Sequence, residues 1–376
     1  MRVLVVGAGI SGLAAARGLA AAGHDVVVLE RAGALRLGGG AITLWPNGTA
    51  VLHDLGLDLE TTGRRLTTLA LRTSGGHDVM SMDLAALEDR FGSEARVVPR
   101  GALITLLAGT SPGGTVRFGA GLTSVEVGAG GVRATTEDGA YEGDFLVGAD
   151  GVRSFVRSAV LGDGPAAYTG LATWQGLTPA PFDCGTTTTF LIAPRGDCGY
   201  MSGGDGLLQW FFDVPWSPDD PPVTDPLAML RERFGTWAAP VPEILDSLEG
   251  AVLEVYPHTR HRIPRRWGAG RCALIGDAVH GMPPVMAHGA NQALEDVAAL
   301  MDALAASAGP AAAVDAYSSA RRRPARRASA VASNSLVVSG PRSLMQSERA
   351  LRMSGVLDRV ATAGFGRMLR SLSSRL

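Results

Sequence analysis

The sequence predicts an α/β protein with a mostly parallel first sheet, a mostly antiparallel second sheet inserted into it, and a helical C-terminal segment. Residues 2–7 form a continuous apolar run, which is typical of a parallel strand buried on both faces. Between about residues 168 and 255 the pattern changes to short alternating segments separated by turns. Residues 271–306 return to a buried strand and a long helix, so the first sheet is completed late in the chain.

The first strand leads directly into a glycine-rich motif, GAGISG, at residues 7–12. The motif opens a helix over residues 10–22, and residues 25–30 form the next strand, which completes a Rossmann-like βαβ unit. Glycines allow the tight turn and let backbone N–H groups approach a pyrophosphate, while an acidic residue ending the second strand accepts from a ribose hydroxyl. A purely structural turn is the alternative. The candidate dinucleotide contacts are Gly7, Gly9, Ile10, Ser11, Gly12, Glu30 and Arg31.

The segments that follow predict smaller elements. Residues 34–45 are glycine-rich, and residues 46–55 resemble a helix. Residues 64–82 indicate strands, and a helix over residues 100–108 is led by proline. A three-strand meander with glycine turns is predicted for residues 115–139, followed by a buried strand over 145–147.

The middle region carries a cluster of aromatic residues on predicted strands over 187–192, 198–202 and 207–214. Because successive side chains of a strand alternate between faces, Trp210 and Phe212 share one face, and Gln209 and Phe211 share the other. One of these pairs is expected to line a substrate cavity, and packing in a core is the alternative. The predicted lining residues are Trp174, Tyr200, Gln209, Trp210 and Phe212.

The charge of the chain excludes several classes of function. A net charge of −2 argues against a nucleic-acid binder, and the absence of lysine excludes Schiff-base and P-loop chemistry. Twelve arginines against two acidic residues make residues 321–376 strongly basic. The arginine cluster at 321–327 could contact anionic lipid or an acidic partner. The alternative is that it caps a helix C-terminus and pairs with the acidic body of the protein.

Three cysteines without a CxxC pair argue against disulfides and a metal site, and they indicate a reducing, cytoplasmic location. No stretch of about 18 apolar residues persists without a charge or breaker, so no transmembrane segment is expected. We expect a monomer or a homodimer.

Two further motifs place polar residues at the ends of buried strands. In GADGVRSFVR, at residues 148–157, Asp150 follows a strand and Ser154 is positioned to cap the next helix. In the stretch from residue 272 to 296, Asp277 ends a strand, and Pro283-Pro284 stiffens the loop after it. Gly289, Ala290 and Asn291 then present backbone donors at a helix N-terminus, where they would stabilise an anionic ring.

Together these three motifs resemble the fingerprints of the class A flavoprotein aromatic monooxygenases, a family that includes p-hydroxybenzoate and salicylate hydroxylases. The family patterns GxGxxG, GADGxxSxVR and GDAAHxxPPxxGQGxNxxxED occur here in order. Val279 replaces an alanine of the pattern, and Ala287-His288 replaces Gly-Gln. Arg100 matches an arginine that approaches FAD in the family, and residues 41–47 are similar to its segment beside the isoalloxazine ring. Gly40, Ala41 and Arg100 are therefore expected to contact the cofactor.

The resemblance implies an FAD enzyme in which NADPH or NADH reduces the flavin and O₂ forms a C4a-hydroperoxide that hydroxylates or epoxidises an aromatic or polycyclic small molecule. It leaves His280, Pro284 and His288 as candidate catalytic residues. His280 could instead be a buried structural histidine, and His288 an exposed loop histidine. An FAD-linked reductase of the same fold and a flavin-binding partner without turnover remain alternatives.

The resemblance also predicts the domain organisation. A GR2-type FAD-binding domain would combine residues 1–65, 96–165 and 256–320. The substrate domain would combine residues 66–95 and 166–255, and residues 321–376 would form a helical C-terminal region.

Overall fold

The computed structural model describes residues 1–109, 114–193, 196–335 and 354–376. Its strands, in chain order, are β1 Arg2–Val6, β2 Asp25–Glu30, β3 Ala41–Leu44, β4 Arg64–Leu66, β5 Thr68–Thr73, β6 Asp78–Asp83, β7 Ala95–Pro99, β8 Gly114–Phe118, β9 Leu122–Val127, β10 Val132–Thr136, β11 Gly139–Gly143, β12 Phe145–Gly148, β13 Ala167–Pro179, β14 Thr187–Ala193, β15 Gly196–Gly204, β16 Leu207–Pro215, β17 Glu254–Arg260, β18 Gly268–Ala269 and β19 Cys272–Leu274.

The helices are α1 Ile10–Ala21, α2 Pro46–Asp54, α3 Leu84–Phe91, α4 Arg100–Ala108, α5 Phe155–Leu161, α6 Pro226–Phe234, α7 Val241–Ser247, α8 Asp277–His280, α9 His288–Ala306, α10 Pro310–Ser335 and α11 Ser354–Leu372. A 3₁₀ turn, Val285–Ala287, precedes α9.

The first sheet has the predicted mostly parallel character, with the strand order β18-β19-β12-β1-β2-β8. Only the edge strand β18 runs antiparallel to its neighbour. The predicted meander over residues 115–139 is wrong in its first strand. That segment is β8, which pairs in parallel with the free edge of β2, and the meander consists of β9, β10 and β11. A parallel strand requires a crossover connection, and helix α4 is part of it. The prediction was wrong because it was based on the glycine turns alone, which do not show the partner of a strand.

The second sheet has the order β17-β13-β16-β15-β14-β5-β6 and is antiparallel except between β14 and β5. Helices α6 and α7 pack against one of its faces through a hydrophobic core. The sheet draws on both segments of the predicted substrate domain and also on β17, which extends to Arg260. A small third sheet, β3-β7-β4, lies in the segments before it. The division into domains stays a prediction.

Helix α10 packs along α9 and continues through Pro324, so the arginine cluster lies within a helix. The expectation that it caps a helix C-terminus is therefore wrong. In the described ranges, no helix is long and apolar enough to cross a membrane, and those residues contain no cluster of metal-binding side chains.

Candidate active site

The three motifs meet at the carboxyl ends of three neighbouring parallel strands. Val6 at the end of β1 pairs with Gly148 of β12, and Gly148 pairs with Leu274 of β19. The loops after these strands touch: a Cβ at Gly7 would lie 2.5 Å from the Ala149 carbonyl oxygen, and one at Gly276 would lie 3.1 Å from Ser11 Oγ. The structure therefore brings together residues that are about 270 positions apart in the chain.

The glycine loop is shaped by different constraints at each glycine. Gly7 has φ +102°, a conformation that other residues rarely adopt. A Cβ at Gly12 would collide with the carbonyl oxygen of Gly7, so this glycine permits α1 to pack against the loop. A Cβ at Gly9 would meet no atom within 4 Å. The loop is thus closely packed against the protein at Gly7 and Gly12 and open at Gly9. Such an opening is what the close approach of a phosphate requires.

Glu30 closes β2 beside this loop. Its carboxylate accepts hydrogen bonds from the backbone N–H groups of Ala8 at 2.7 Å and Ala32 at 2.9 Å. These bonds fix the carboxylate while leaving acceptor capacity, because an ionised carboxylate has about four lone-pair sites. Ile10 and Ser11 are half-buried, and Arg31 is exposed.

Asp150 organises the second loop. Its carboxylate accepts from the Ser154 hydroxyl and from the backbone N–H groups of Phe155 at 2.7 Å and Val156 at 3.1 Å. Burial raises the pKa of Asp150, and these hydrogen bonds oppose the shift. The predicted cap is confirmed, because Ser154 Oγ accepts from the Arg157 backbone N–H at 2.9 Å.

Asp277 begins α8 at the end of β19. Its side chain is accessible to solvent although protein surrounds it closely, so it lines a cleft. Burial raises the pKa of Asp277, a shift that His280 and His261 oppose and Asp296 increases. Gly289 faces it, since a Cβ there would lie 3.9 Å from Asp277 Oδ1.

Arg157 holds α8 in place, a role that the sequence did not reveal. The guanidinium is 3% exposed and donates to the carbonyl oxygens of Ala278 at 3.1 Å and Val279 at 2.8 Å. It also pairs with Asp163 at 2.7 Å. Arg157 is the last residue of the GADGVRSFVR motif, so the sequence marks its position. The residues around it do not indicate that its side chain contacts α8.

A buried ionic network lies beneath Asp277. Arg321, fully excluded from solvent, pairs with Glu295 at 2.6 Å and with Asp296 at 2.9 Å. Asp296 also accepts from the Gly276 backbone N–H at 2.9 Å. Burial alone would raise the pKa of Asp296, but the neighbouring His280 and Arg321 side chains hold it below its usual value. The expected pairing of the arginine cluster with acidic residues is confirmed for Arg321.

His280 belongs to this network. It is fully buried, and its Nε2 lies 2.7 Å from Asp296 Oδ2. Trp267 packs against its ring at 5.6 Å between centroids. His280 is therefore buried, as one of the two alternatives expects, and its role stays a prediction.

Asn291 ties the loop before α9 to β3. Its side chain accepts from the Trp45 backbone N–H at 2.8 Å and donates to the carbonyl oxygens of Thr43 at 3.0 Å and Ala287 at 2.7 Å. The Trp45 indole N–H in turn donates to the Met286 carbonyl oxygen at 2.9 Å. Both amide N–H groups of Asn291 and one lone pair of its oxygen position these segments, and Pro284 is exposed at the start of the loop.

This loop contains two consecutive non-glycine residues in the left-handed region, Met286 with φ 63° and Ala287 with φ 52°. Such a conformation costs about 1–2 kcal/mol for a residue with a Cβ. We expect Ala287→Gly to raise the free energy of unfolding by about 0.5–1 kcal/mol, because the relief exceeds the entropy that glycine adds to the unfolded chain. Urea denaturation measures this change. Ala299→Gly, within helix α9, is the control and should lose about 1 kcal/mol. An equal decrease in the free energy of unfolding in both variants would contradict the inference that Ala287 is strained.

A second part of the cleft joins β3 to the large sheet. The Ala41 backbone N–H donates to Gln209 Oε1 at 2.5 Å, and a Cβ at Gly40 would lie 2.6 Å from the same oxygen. Arg100 donates to the carbonyl oxygens of Arg36 and Gly38, which fixes the glycine-rich segment.

The comparisons with known proteins agree with this geometry. A family model described as FAD binding domain matches residues 1–332. The chain is 36% identical over 331 residues to a 3-amino-4-hydroxybenzoate 2-monooxygenase of Streptomyces cremeus, covering 85% of this chain and 83% of that protein. The chain belongs to the class A flavoprotein monooxygenases. It is also 34% identical over 320 residues to an FAD-dependent urate hydroxylase of Klebsiella oxytoca, covering 80% and 81% of the two chains.

A solved structure extends the likeness over nearly the whole monooxygenase. The crystal structure of Klebsiella pneumoniae HpxO complexed with FAD and uric acid superposes with a TM-score of 0.89 at 28% identity, covering 99% of this chain and 97% of that one. The predicted fold class is confirmed.

Four of the five residues predicted to line the substrate cavity of the monooxygenase are instead buried in a hydrophobic core. Trp174, Tyr200, Trp210 and Phe212 are between 1% and 6% exposed and belong to the core beneath α6 and α7. They occupy the sheet face that these helices cover, so the prediction that they line the cavity is wrong. Gln209, on the opposite face, is the one of the five that bonds to β3, through the Ala41 backbone N–H.

His288 of the monooxygenase is not the exposed loop residue that we considered. It is fully buried at the start of α9, and neither ring nitrogen has a hydrogen-bond partner in the part of the chain that the structure describes. Among the described residues no side chain or backbone group is placed to exchange a proton with this ring, and the catalytic role of His288 stays a prediction. Burial lowers the pKa of His288 to about 4.

We expect His288→Gln to lose the acid sensitivity that this burial creates. The unfolded state takes up a proton near pH 6.5 and the folded state only near pH 4, so His288 lowers the free energy of unfolding as pH falls between these values. Relative to pH 7.5, the variant should gain about 2 kcal/mol over the wild type at pH 5. Urea denaturation at both values measures it. His77→Gln, at an exposed site, is the control, and a gain independent of pH in His288→Gln would contradict the prediction.

Proposed function

We propose that this FAD-dependent monooxygenase uses NADPH or NADH and O₂ to hydroxylate a small aromatic or heteroaromatic molecule. The observation that carries the proposal is the convergence of the open glycine loop, Glu30 and Asp277 at the carboxyl ends of β1, β2 and β19 in one parallel sheet. The names of its relatives, which act on an aminohydroxybenzoate and on urate, support a substituted ring as substrate.

The residues present fit FAD. The open space above Gly9 suits a pyrophosphate, and the fixed Glu30 carboxylate suits a ribose hydroxyl. Asp277 and the helix N-terminus at Gly289 and Ala290 offer polar groups to the ring system from across the cleft. When bound, FAD supplies the redox chemistry that activates O₂; the protein binds and orients the reactants and excludes water.

We assign supporting roles to the other residues of the motifs. Asp150 and Arg157 fix the second loop and α8, and His280 and Asp296 hold the backbone before Asp277. Asn291 and Arg100 position the segments that flank the ring. The three cysteines are unpaired, which supports a reducing cytoplasmic location. A monomer or homodimer remains our expectation.

Oxygen uptake by the FAD-loaded protein tests the function. With NADPH or NADH, a panel of phenols, aminophenols and hydroxypyridines should include a ring that stimulates NAD(P)H oxidation and gains one oxygen atom from isotopically labelled O₂. Oxidation that no ring stimulates, in protein that holds FAD, would contradict the proposal.

A further inference from the structure

Four polar residues form a row across four neighbouring strands of the large sheet. Asp197 on β15 is the cross-strand partner of Asp213 on β16, and Asp213 is the partner of Thr173 on β13. The Thr173 hydroxyl contacts Asp213 Oδ1 and lies 2.6 Å from Nε2 of His258 on β17. A hydroxyl has one hydrogen to donate, so these contacts form a continuous hydrogen-bonded chain from the carboxyl pair to the imidazole.

The row lies on the sheet face turned toward the cleft. Gln209, Phe211 and Asp213 are alternate residues of β16 and therefore share a face. Gln209 bonds to Ala41 on β3, and Phe211 packs in the cluster that includes Met286 of the loop before α9. The opposite face is the one that α6 and α7 cover. The carboxyl pair thus continues the surface that begins beside the flavin-flanking segments.

The row carries a negative charge, and no arginine of the described residues forms an ion pair with its carboxyl groups. Burial, reinforced by the neighbouring carboxyl, raises the pKa of Asp213, and burial raises the pKa of Asp197. The pair therefore shares a proton and retains about one negative charge. The basic group near this carboxyl, within the described ranges, is the imidazole of His258, whose Nε2 lies 3.7 Å from Asp213 Oδ1. It is neutral near pH 7, because burial lowers its pKa to about 4.

Two atoms of the row also lack hydrogen bonds. Asp197 Oδ1 and His258 Nδ1 are excluded from solvent and have no hydrogen-bond partner among the described residues. His258 is 1% exposed, whereas Asp197 as a whole residue is partly exposed. A buried acceptor without a donor costs about 1–3 kcal/mol, which a donor supplied by a ligand would recover.

We propose that this row is a specificity subsite for an amino or other N–H donor substituent on the substrate ring, contacted by Asp197. Asp213, Thr173 and His258 act as positioning residues that keep the negative charge on the cleft side. A carboxylate at the same ring position would be repelled. The inference rests on the proposed function, since it assigns part of the substrate of the same site.

Binding to the FAD-loaded protein tests the subsite without turnover. The probes are 2-aminophenol, catechol and salicylate, which share a ring hydroxyl and differ in the neighbouring group. Quenching of flavin fluorescence gives each Kd. We expect 2-aminophenol to bind at least about tenfold more tightly than salicylate, with catechol between them, a difference of about 1.4 kcal/mol.

Asp197→Asn keeps the shape and removes the charge, so its preference for 2-aminophenol over salicylate should fall below about threefold. Asp213→Asn should reduce it as well, and Asp219→Asn, on the exposed loop after the same strand, should leave it unchanged. Thermal unfolding and flavin content confirm that each variant is folded.

Equal or reversed preference in the wild type, a preference unchanged in Asp197→Asn, or no binding of 2-aminophenol at millimolar concentration would each overturn the subsite. These results leave the proposed function intact if FAD remains bound and a ring still stimulates NAD(P)H oxidation. Failure to hold FAD would instead overturn the proposed function.

Discussion

Arg321→Met should lower the free energy of unfolding by about 3–5 kcal/mol, the largest effect that we expect from a single side chain. The substitution leaves Glu295 and Asp296 charged and buried without their cation, and this uncompensated charge dominates the cost. Because Asp296 also holds the backbone N–H of Gly276, the loss should extend to FAD affinity. Urea denaturation and flavin titration of the purified protein measure both effects.

Arg322→Met is the matched control, since the next residue of the same helix is exposed and has no recorded ion pair in the described part of the chain. Its free energy of unfolding should change by less than about 0.5 kcal/mol. Arg321→Met combined with Glu295→Gln should recover part of the loss, because one of the two stranded charges is removed. If the variants at 321 and 322 behaved alike, the network would not stabilise the fold as we infer.

Substitutions at two glycines of the nucleotide loop should differ in their effects on protein stability and on FAD affinity. Gly9→Ala fits its backbone, with φ −81° and ψ −174°, and its Cβ would enter open space. The apoprotein should keep its thermal stability, while FAD affinity falls at least about tenfold, because the backbone could no longer approach a phosphate. Gly12→Ala should lower both, since its Cβ would collide with the Gly7 carbonyl oxygen.

Thermal unfolding of the apoprotein and fluorescence titration with FAD distinguish the two variants. Wild-type FAD affinity in Gly9→Ala would show that no phosphate lies over this glycine. Unchanged apoprotein stability in Gly12→Ala would contradict the packing of α1 against the loop.

The sequence was most informative where function requires a particular backbone. The three motifs predicted strand ends, tight turns and helix N-termini, and parallel strands gather such ends at one edge of a sheet. Their convergence could therefore be predicted without coordinates, as could the cap at Ser154 and the position of Glu30 at the end of β2. The alternation along β16 also correctly separated Gln209 and Phe211 from Trp210 and Phe212.

Which of the two sheet faces lines the cleft was decided only by tertiary structure. Alternation defines two faces, but it does not say that α6 and α7 cover the one carrying Trp210. Arg321 and Arg322 are equivalent in an arginine-rich sequence, yet one is fully buried and the other exposed because only one faces α9. His288 likewise became a buried residue through packing of α9, which no local pattern indicates.

The sequence by itself thus determined the fold class, the cofactor motifs and the order in which they assemble, because these depend on local backbone geometry and strand direction. The tertiary structure alone decided which charges are buried together and which side chains face the cleft. Those properties depend on contacts between segments far apart in the chain, such as Asp296 with Arg321 or Asp197 with Asp213 and Thr173.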